Sequence, residues 1–154
     1  MNAAVQVRRS ALRDLPPLMA MISDHAAFEQ SRIDVLDLQD RLALQLSCTK
    51  PRVLIWLAVD AQDQALGYMS ATVDFSTWAG RDFLHMDCLF VVEDARGHGI
   101  GILLLQAAHA HAAEMGMMEL QWQTPDWNHR ARNFYLRAGA NASGKWRFRL
   151  AVGS

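Results

Sequence analysis

Arg96-Gly97-His98-Gly99-Ile100-Gly101 is the stretch on which the reading of this sequence turns. Before it stands an apolar run ending at Val91-Val92. After it, Ile100, Leu103, Leu104, Ala107, Ala108, His111 and Met115 fall on one helical face. Glycines reach backbone angles closed to other residues and carry no Cβ to hold a ligand away. At a helix N-terminus the free N–H groups and the helix dipole favour an anion, phosphate above all. Three phosphate-binding spacings compete. The dinucleotide pattern Gly-x-Gly-x-x-Gly fails, because Ile102 stands where the third glycine belongs. A Walker loop fails as well, since Ile102-Leu103 follows Gly101 in place of Lys-Ser/Thr. The spacing Arg/Gln-x-x-Gly-x-Gly/Ala is filled by Arg96, Gly99 and Gly101. On these residues alone the plainer alternative stays open: glycines that only shape a tight strand-to-helix turn.

Working outward, Ala4 to Arg9 reads as a short strand and Asp14 as the cap of a helix running to Phe28, with Pro16 and Pro17 in its first turn. Val35 to Leu46 has the spacing of a second helix. Val53 to Val59 is a buried strand by its β-branched and aromatic content. Ala65 to Phe75 is its antiparallel partner across a polar turn, and Phe83 to Val92 is the next strand. The helix from Ile100 stops at Gly116. Met118 to Thr124 predicts a strand, Asp126 or Asn128 caps a helix to Ala138, and Lys145 to Val152 alternates as a final strand. The order β-α-α-β-β-β-α-β-α-β describes an α/β fold on a mixed sheet.

The chain has 154 residues, about one domain's worth at ~100–200 residues per domain, and no linker or repeat divides it. Lys and Arg number 15 against 16 Asp and Glu, which excludes the basic field of a dedicated nucleic-acid binder. The longest apolar run, Val53 to Val59, falls far short of the ~18 residues that cross a bilayer, so no membrane partner is expected. From Met1 to Arg9 the charge follows the short apolar patch, the reverse of a signal peptide. The two cysteines, Cys48 and Cys88, form no Cys-x-x-Cys motif, which favours a reducing, cytoplasmic setting. His109 and His111 are two apart on a helix and point different ways, and the other histidines are scattered, so no metal site is expected.

The glycine loop does not stand alone. Together with Leu89-Phe90-Val91 before it and Ile100 to Leu105 after it, it resembles the pyrophosphate-binding motif of the GNAT superfamily of acyl-CoA N-acyltransferases. Downstream, Trp127-Asn128-His129-Arg130-Ala131-Arg132-Asn133-Phe134-Tyr135-Leu136-Arg137-Ala138-Gly139 resembles a second motif of that superfamily, Asn-x-x-Ala-x-x-Phe-Tyr-x-x-x-Gly. The resemblance runs from about Val5 to Leu150. It implies a mostly antiparallel mixed sheet whose central parallel strands splay to admit the acyl-CoA, flanked by about four helices. It further implies acetyl-CoA as acyl donor, with coenzyme A as product. Backbone groups of Leu89, Phe90 and Val91 then meet the pantetheine arm. Amides of Arg96, Gly97, His98, Gly99, Ile100 and Gly101 meet the pyrophosphate, and Asn128 contacts the cofactor. Tyr135 takes the general-acid position.

An alkylamine with a pKa near ~10.4 is protonated at neutral pH, so the reaction needs a base. Asp87 is the candidate, placed by strand alternation on one face with Leu89 and Val91; an ordinary solvated or ion-paired strand acid is the alternative. Cys88 as a nucleophile would need a base partner, and a small packing residue is the simpler reading. Ala26-Ala27-Phe28-Glu29, Trp78-Ala79-Gly80 and the Trp127 to Ala140 segment resemble the diamine and thialysine acetyltransferase branch. That likeness implies an acceptor site lined by Phe28, Glu29, Trp78 and Asp87, and a homodimer. Two departures, Cys88 in place of a second acid and Phe28 in place of a tyrosine, point away from a long polyamine and toward a small primary or amino-acid-like amine. The rival functions are a CoA-binding regulatory module without turnover and an acetyltransferase acting on a protein or peptide amine.

Overall fold

The computed structural model describes residues 4–153; Met1 to Ala3, where the stretch compared with a signal peptide begins, and Ser154 lie outside the described residues. Two compact units make up the chain, Met1–Gln123 and Thr124–Ser154.

In the first unit, β1 is Gln6–Arg9, α1 Leu15–Phe28, α2 Val35–Ser47, β2 Leu54–Val59, β3 Ala65–Ser76, β4 Arg81–Val91, α3 Ile100–Glu114 and β5 Leu120–Gln121. The strands form one sheet in the order β1-β2-β3-β4-β5, antiparallel except for the parallel β4–β5 pair. Strand β2 is buried from Ile55 to Val59, as a continuous apolar run requires when both faces of the sheet are covered. One face packs Ile55, Leu57, Val59, Tyr68 and Phe90 against Leu18 and Met21 of α1. The other face takes α3, whose His111 ring meets Trp56 edge-on at 5.4 Å. Gly67 lets α3 approach: a Cβ there would lie 2.7 Å from the Phe90 carbonyl oxygen and 3.3 Å from Leu104 Cδ1.

Asp14 does not cap α1. Its carboxylate takes both guanidinium arms of Arg8 (2.8 and 2.9 Å) and the Ala11 N–H at 2.7 Å. Prolines in the first helical turn leave little for a cap to satisfy, since Pro has no N–H. The Arg8 hydrogen bonds hold the Asp14 carboxyl below its ordinary range. Asp34 does cap α2, accepting from the Asp37 N–H at 3.2 Å.

Two departures from the sequence reading shape the site. Ser70 pairs with Cys88 and Ala71 with Met86, so Asp87 is an unpaired extra residue, a β-bulge in β4. Strand β5 spans two residues in place of the seven expected, meeting β4 only at Leu84 and His85. From Met86 to Val91, therefore, no strand among the described residues pairs with that edge of β4. This is the splay that the family resemblance implies.

In the second unit, α4 (His129–Arg137) is capped by Asn128, whose Oδ1 accepts from the Ala131 N–H at 3.1 Å. Gly139 ends it with φ +95. The final strand expected over Lys145 to Val152 does not form; among the described residues the segment pairs with no strand. Its alternation is real, but a strand also needs an edge to receive its backbone groups. Among the described residues no helix is long and apolar enough to cross a membrane.

Candidate active site

The glycine loop begins where β4 ends. A single 3-10 turn at Glu93–Ala95 closes with the Arg96 N–H donating to the Glu93 carbonyl at 3.2 Å. The Arg96 amide is therefore engaged within the chain, contrary to its expected place among the pyrophosphate donors. Gly97 (φ +80) and Gly99 (φ +79) then take left-handed conformations, and a Cβ on either would meet no atom within 4 Å. No neighbouring group crowds these two glycines. What they supply is the backbone turn and open space beside it. The first i→i−4 bond at this end of α3 runs from the Leu103 N–H to the Gly99 carbonyl at 3.2 Å. The amides of Ile100, Gly101 and Ile102 thus precede the helix's own bonding and point outward from its N-terminus. The loop fits a diphosphate on geometry as well as on spacing.

Arg96 contributes its side chain in another way. Its Nε donates to the Val91 carbonyl at 2.9 Å, and its guanidinium lies over the rings of Phe90 (5.4 Å) and Phe28 (5.7 Å). One residue ties the loop to the end of β4 and to the last turn of α1. His98 is exposed, with Nδ1 3.3 Å from the Ala95 carbonyl.

The backbone phase of β4 follows from the Val92 N–H bonding the Leu66 carbonyl at 2.9 Å. Alternation then turns the N–H and C=O of Phe90 and Cys88 toward β3, and those of Leu89 and Val91 toward the splayed edge. The Val91 carbonyl is taken by Arg96. Both N–H groups and the Leu89 carbonyl remain on an edge that an extended amide chain could join.

Asp87 does not share a face with Leu89 and Val91. The bulge resets the alternation, and the Asp87 carboxylate stands beside Cys88, with Oδ2 3.8 Å from Sγ. Cys88 packs on the α1 side of the sheet. There the sequence reading missed two residues, Tyr68 and His25. Buried Tyr68 holds its hydroxyl 2.7 Å from His25 Nδ1, and His25 Nε2 is 3.3 Å from Glu29 Oε1. The imidazole stacks on Phe90 at 5.2 Å and meets Tyr68 edge-on at 5.9 Å. Burial pushes the Cys88 thiol up to about 11 and raises the Tyr68 phenol above its ordinary value. A thiol so raised is protonated at neutral pH and a poor nucleophile. One clue to His25 lay in the sequence, its i, i+4 spacing from Glu29.

Of the acceptor residues expected, Phe28, Glu29 and Asp87 lie around this cluster. Trp78 does not join them. It is fully exposed at the tip of the β3–β4 hairpin, and the strand from Arg81 to Asp87 spans ~20 Å at ~3.3 Å per residue. In the second unit, Asn128 uses its oxygen as a helix cap, so its NH2 is the part left to meet a ligand. Tyr135 packs edge-on against Phe134 at 5.2 Å. Among the described residues no group of three or more His, Cys, Asp or Glu is placed to hold a metal ion.

A splayed sheet whose open strand edge leads into a glycine-lined helix N-terminus is the arrangement that the family resemblance implies. The chain belongs to the acetyltransferase (GNAT) family, whose model matches residues 18–140. It is 31% identical over 90 residues to a D-amino-acid N-acetyltransferase of Saccharomyces cerevisiae, covering 56% of this chain and 56% of that protein. It is 24% identical over 145 residues to a thialysine N-epsilon-acetyltransferase of Mus musculus, covering 90% of this chain and 85% of the mouse protein. Against the first three curated relatives it spans about half their length or less: 56%, 36% and 54%. In fold it is similar to the crystal structure of a probable acetyltransferase, with a TM-score of 0.83 at 20% identity over 97% of this chain and 99% of that one.

Proposed function

We propose that residues 1–154 act as one N-acetyltransferase domain that moves an acetyl group from acetyl-CoA directly to the primary amine of a small, amino-acid-like molecule. The observation that carries this reading is the continuity of the left-handed Gly97/Gly99 loop with the open edge of β4. Amides from Gly97 to Ile102 bind the diphosphate, and Leu89 and Val91 pair with the pantetheine arm. The Val91 N–H then faces the oxyanion that develops on the thioester carbonyl. A single such donor has been worth ~3–4 kcal/mol elsewhere. Asp87 takes a proton from the incoming ammonium through water. Tyr135, by its place in the second motif, protonates the departing thiolate. Support for an amino-acid-like acceptor comes from the names of the yeast and mouse relatives and from the carboxylates of Glu29 and Asp87, which suit a cation. The free state of both cysteines fits a cytoplasmic setting.

The test is calorimetric titration with coenzyme A, followed by CoA release from acetyl-CoA with diamines, lysine analogues such as thialysine, D- and L-amino acids and aminoglycosides. Micromolar CoA binding and acetylation of at least one of these amines are expected. Absence of CoA binding overturns the reading. Binding without turnover on any amine favours the regulatory-module alternative.

A homodimer is part of the same reading. Trp146, Phe148, Leu150 and Val152 are 90%, 89%, 92% and 99% exposed, more apolar surface on one short segment than an isolated chain in water tolerates. Sedimentation at micromolar concentration is expected to give twice the monomer mass, and Trp146→Ser with Phe148→Ser to return the monomer. A wild-type protein sedimenting as a monomer would refute the dimer.

A further inference from the structure

An extended arm that joins a strand edge can join it in several registers, each one strand period from the next. That period is two residues, about 7 Å at ~3.3 Å per residue. The pantetheine arm carries two amides, and each buried N–H needs a carbonyl to accept it. Leu89 and Val91 both turn their carbonyls to the splayed edge of β4, so the backbone alone offers two registers. Resting on the function proposed above, we propose that Arg96 is a positioning residue that closes the Val91 carbonyl and leaves the acyl-CoA arm a single register.

Val91 is the last residue of β4, and the Arg96 Nε donates to its oxygen at 2.9 Å. Nε is bonded to both Cδ and Cζ. A bar of three heavy atoms, not one hydrogen, therefore stands before that oxygen on the splayed side. Cζ lies 5.4 Å from the centre of the Phe90 ring and 5.7 Å from that of Phe28, and these rings hold the bar in place. Phe90 is buried in the sheet and Phe28 ends α1, so the hold reaches two elements. Among the described residues the half-buried Arg96 makes no ion pair. A cation placed to neutralise a carboxylate would show one. This side chain instead gives its hydrogen bond to a backbone oxygen, at the point where the open edge ends.

Anchoring the diphosphate in the glycine loop does not by itself fix the thioester. The arm is a chain mostly of single bonds, and by bowing it can pair at Val91 in place of Leu89. That slip moves the thioester one period along the edge and takes its carbonyl off the Val91 N–H. With the Val91 oxygen closed, a bowed arm buries an amide N–H without an acceptor, and the extended register prevails.

Two neutral variants of similar length isolate the stop. Glutamine carries Nε2 on Cδ, where arginine carries Nε, and so can keep the bond; methionine has a similar reach and no N–H. Both lose the cation, so any loss of CoA affinity that comes from charge is common to the two. With an amine that the wild type acetylates, Arg96→Gln is expected to keep kcat within threefold. Arg96→Met is expected to lower kcat and KM for acetyl-CoA together, at least fivefold relative to Arg96→Gln, with kcat/KM within twofold. Slipped binding withholds from turnover the same fraction of enzyme that it adds to the bound state, so both constants fall by one factor. A loosened loop would lower kcat/KM instead. Equal constants in the two variants, or a fall in kcat/KM confined to Arg96→Met, overturns the proposal. Should Arg96→Met fail to fold, the wild-type protein decides. In 1H–15N spectra the Arg96 Nε–H is expected to exchange slowly with solvent, and no faster once coenzyme A is bound. An Nε–H released by coenzyme A means that the arm has taken the Val91 oxygen, and the stop is refuted. Calorimetry keeps the two readings apart: absence of CoA binding defeats the function above, whereas CoA binding with a freed Nε–H defeats the stop alone.

Discussion

Gly99→Val is expected to weaken coenzyme A binding at least 100-fold. Gly99 holds φ +79 and ψ 8 as the residue before α3, a conformation that is a genuine outlier for a β-branched side chain. A residue forced to stay there costs ~1–3 kcal/mol. The chain relieves that strain by leaving the left-handed region, which rotates the peptide into Ile100 and turns the amides of Ile100 and Gly101 away from a common anion. Affinity falls because converging donors no longer converge, not because the valine fills the site: the space beside Gly99 is open to 4 Å. Gly116 is the control. It closes the other end of α3 at φ +69, also with nothing within 4 Å. Gly116→Val carries a similar backbone penalty and is expected to lower Tm comparably while leaving the CoA Kd within threefold. Equal loss of affinity in both variants, read by calorimetry, would mean that the loop only shapes a turn.

What the sequence disclosed and what it withheld divide along a physical line. Local periodicity and special backbone angles are written in consecutive residues. The helix from Ile100, the glycines before it and the doubly buried β2 were legible for that reason. Relations between distant residues were not. The bulge at Asp87 changes the parity of β4, and nothing in the expected strand Phe83 to Val92 reveals it until β3 is laid beside it. The pairing shows Asp87 to be the extra residue, and its carboxylate lies 3.8 Å from the Cys88 sulfur. Asp14 has the composition of a cap, and Arg8, on a neighbouring strand, draws it away. His25 and Tyr68 are 43 positions apart and meet only because α1 packs across β3. Trp78 entered the acceptor list by likeness of a short motif, while the length of the hairpin carries it out of reach. Lys145 to Val152 shows the limit most plainly: side-chain alternation belongs to a segment, strand pairing to two.

Tyr135→Phe is expected to lower kcat about 100-fold with the CoA Kd within threefold. The substitution removes one oxygen and keeps the ring that packs edge-on against Phe134. Transfer of a proton to a leaving group by a positioned acid contributes ~10²–10⁴-fold, and a loss confined to the transition state lowers kcat and kcat/KM together. A donor lost from binding alone would raise KM and spare kcat, so the split identifies the step at which the hydroxyl acts. The same variant separates the rival classes. In a module that only senses coenzyme A, the phenol has no proton to give, and Tyr135→Phe would alter no rate. If an active wild-type enzyme tolerates the change within twofold, the thiolate takes its proton from water and Tyr135 serves the packing of α4. A 100-fold loss rescued by an acetyl donor with a more acidic thiol, which needs no protonation to depart, would fix the hydroxyl's role on the sulfur itself.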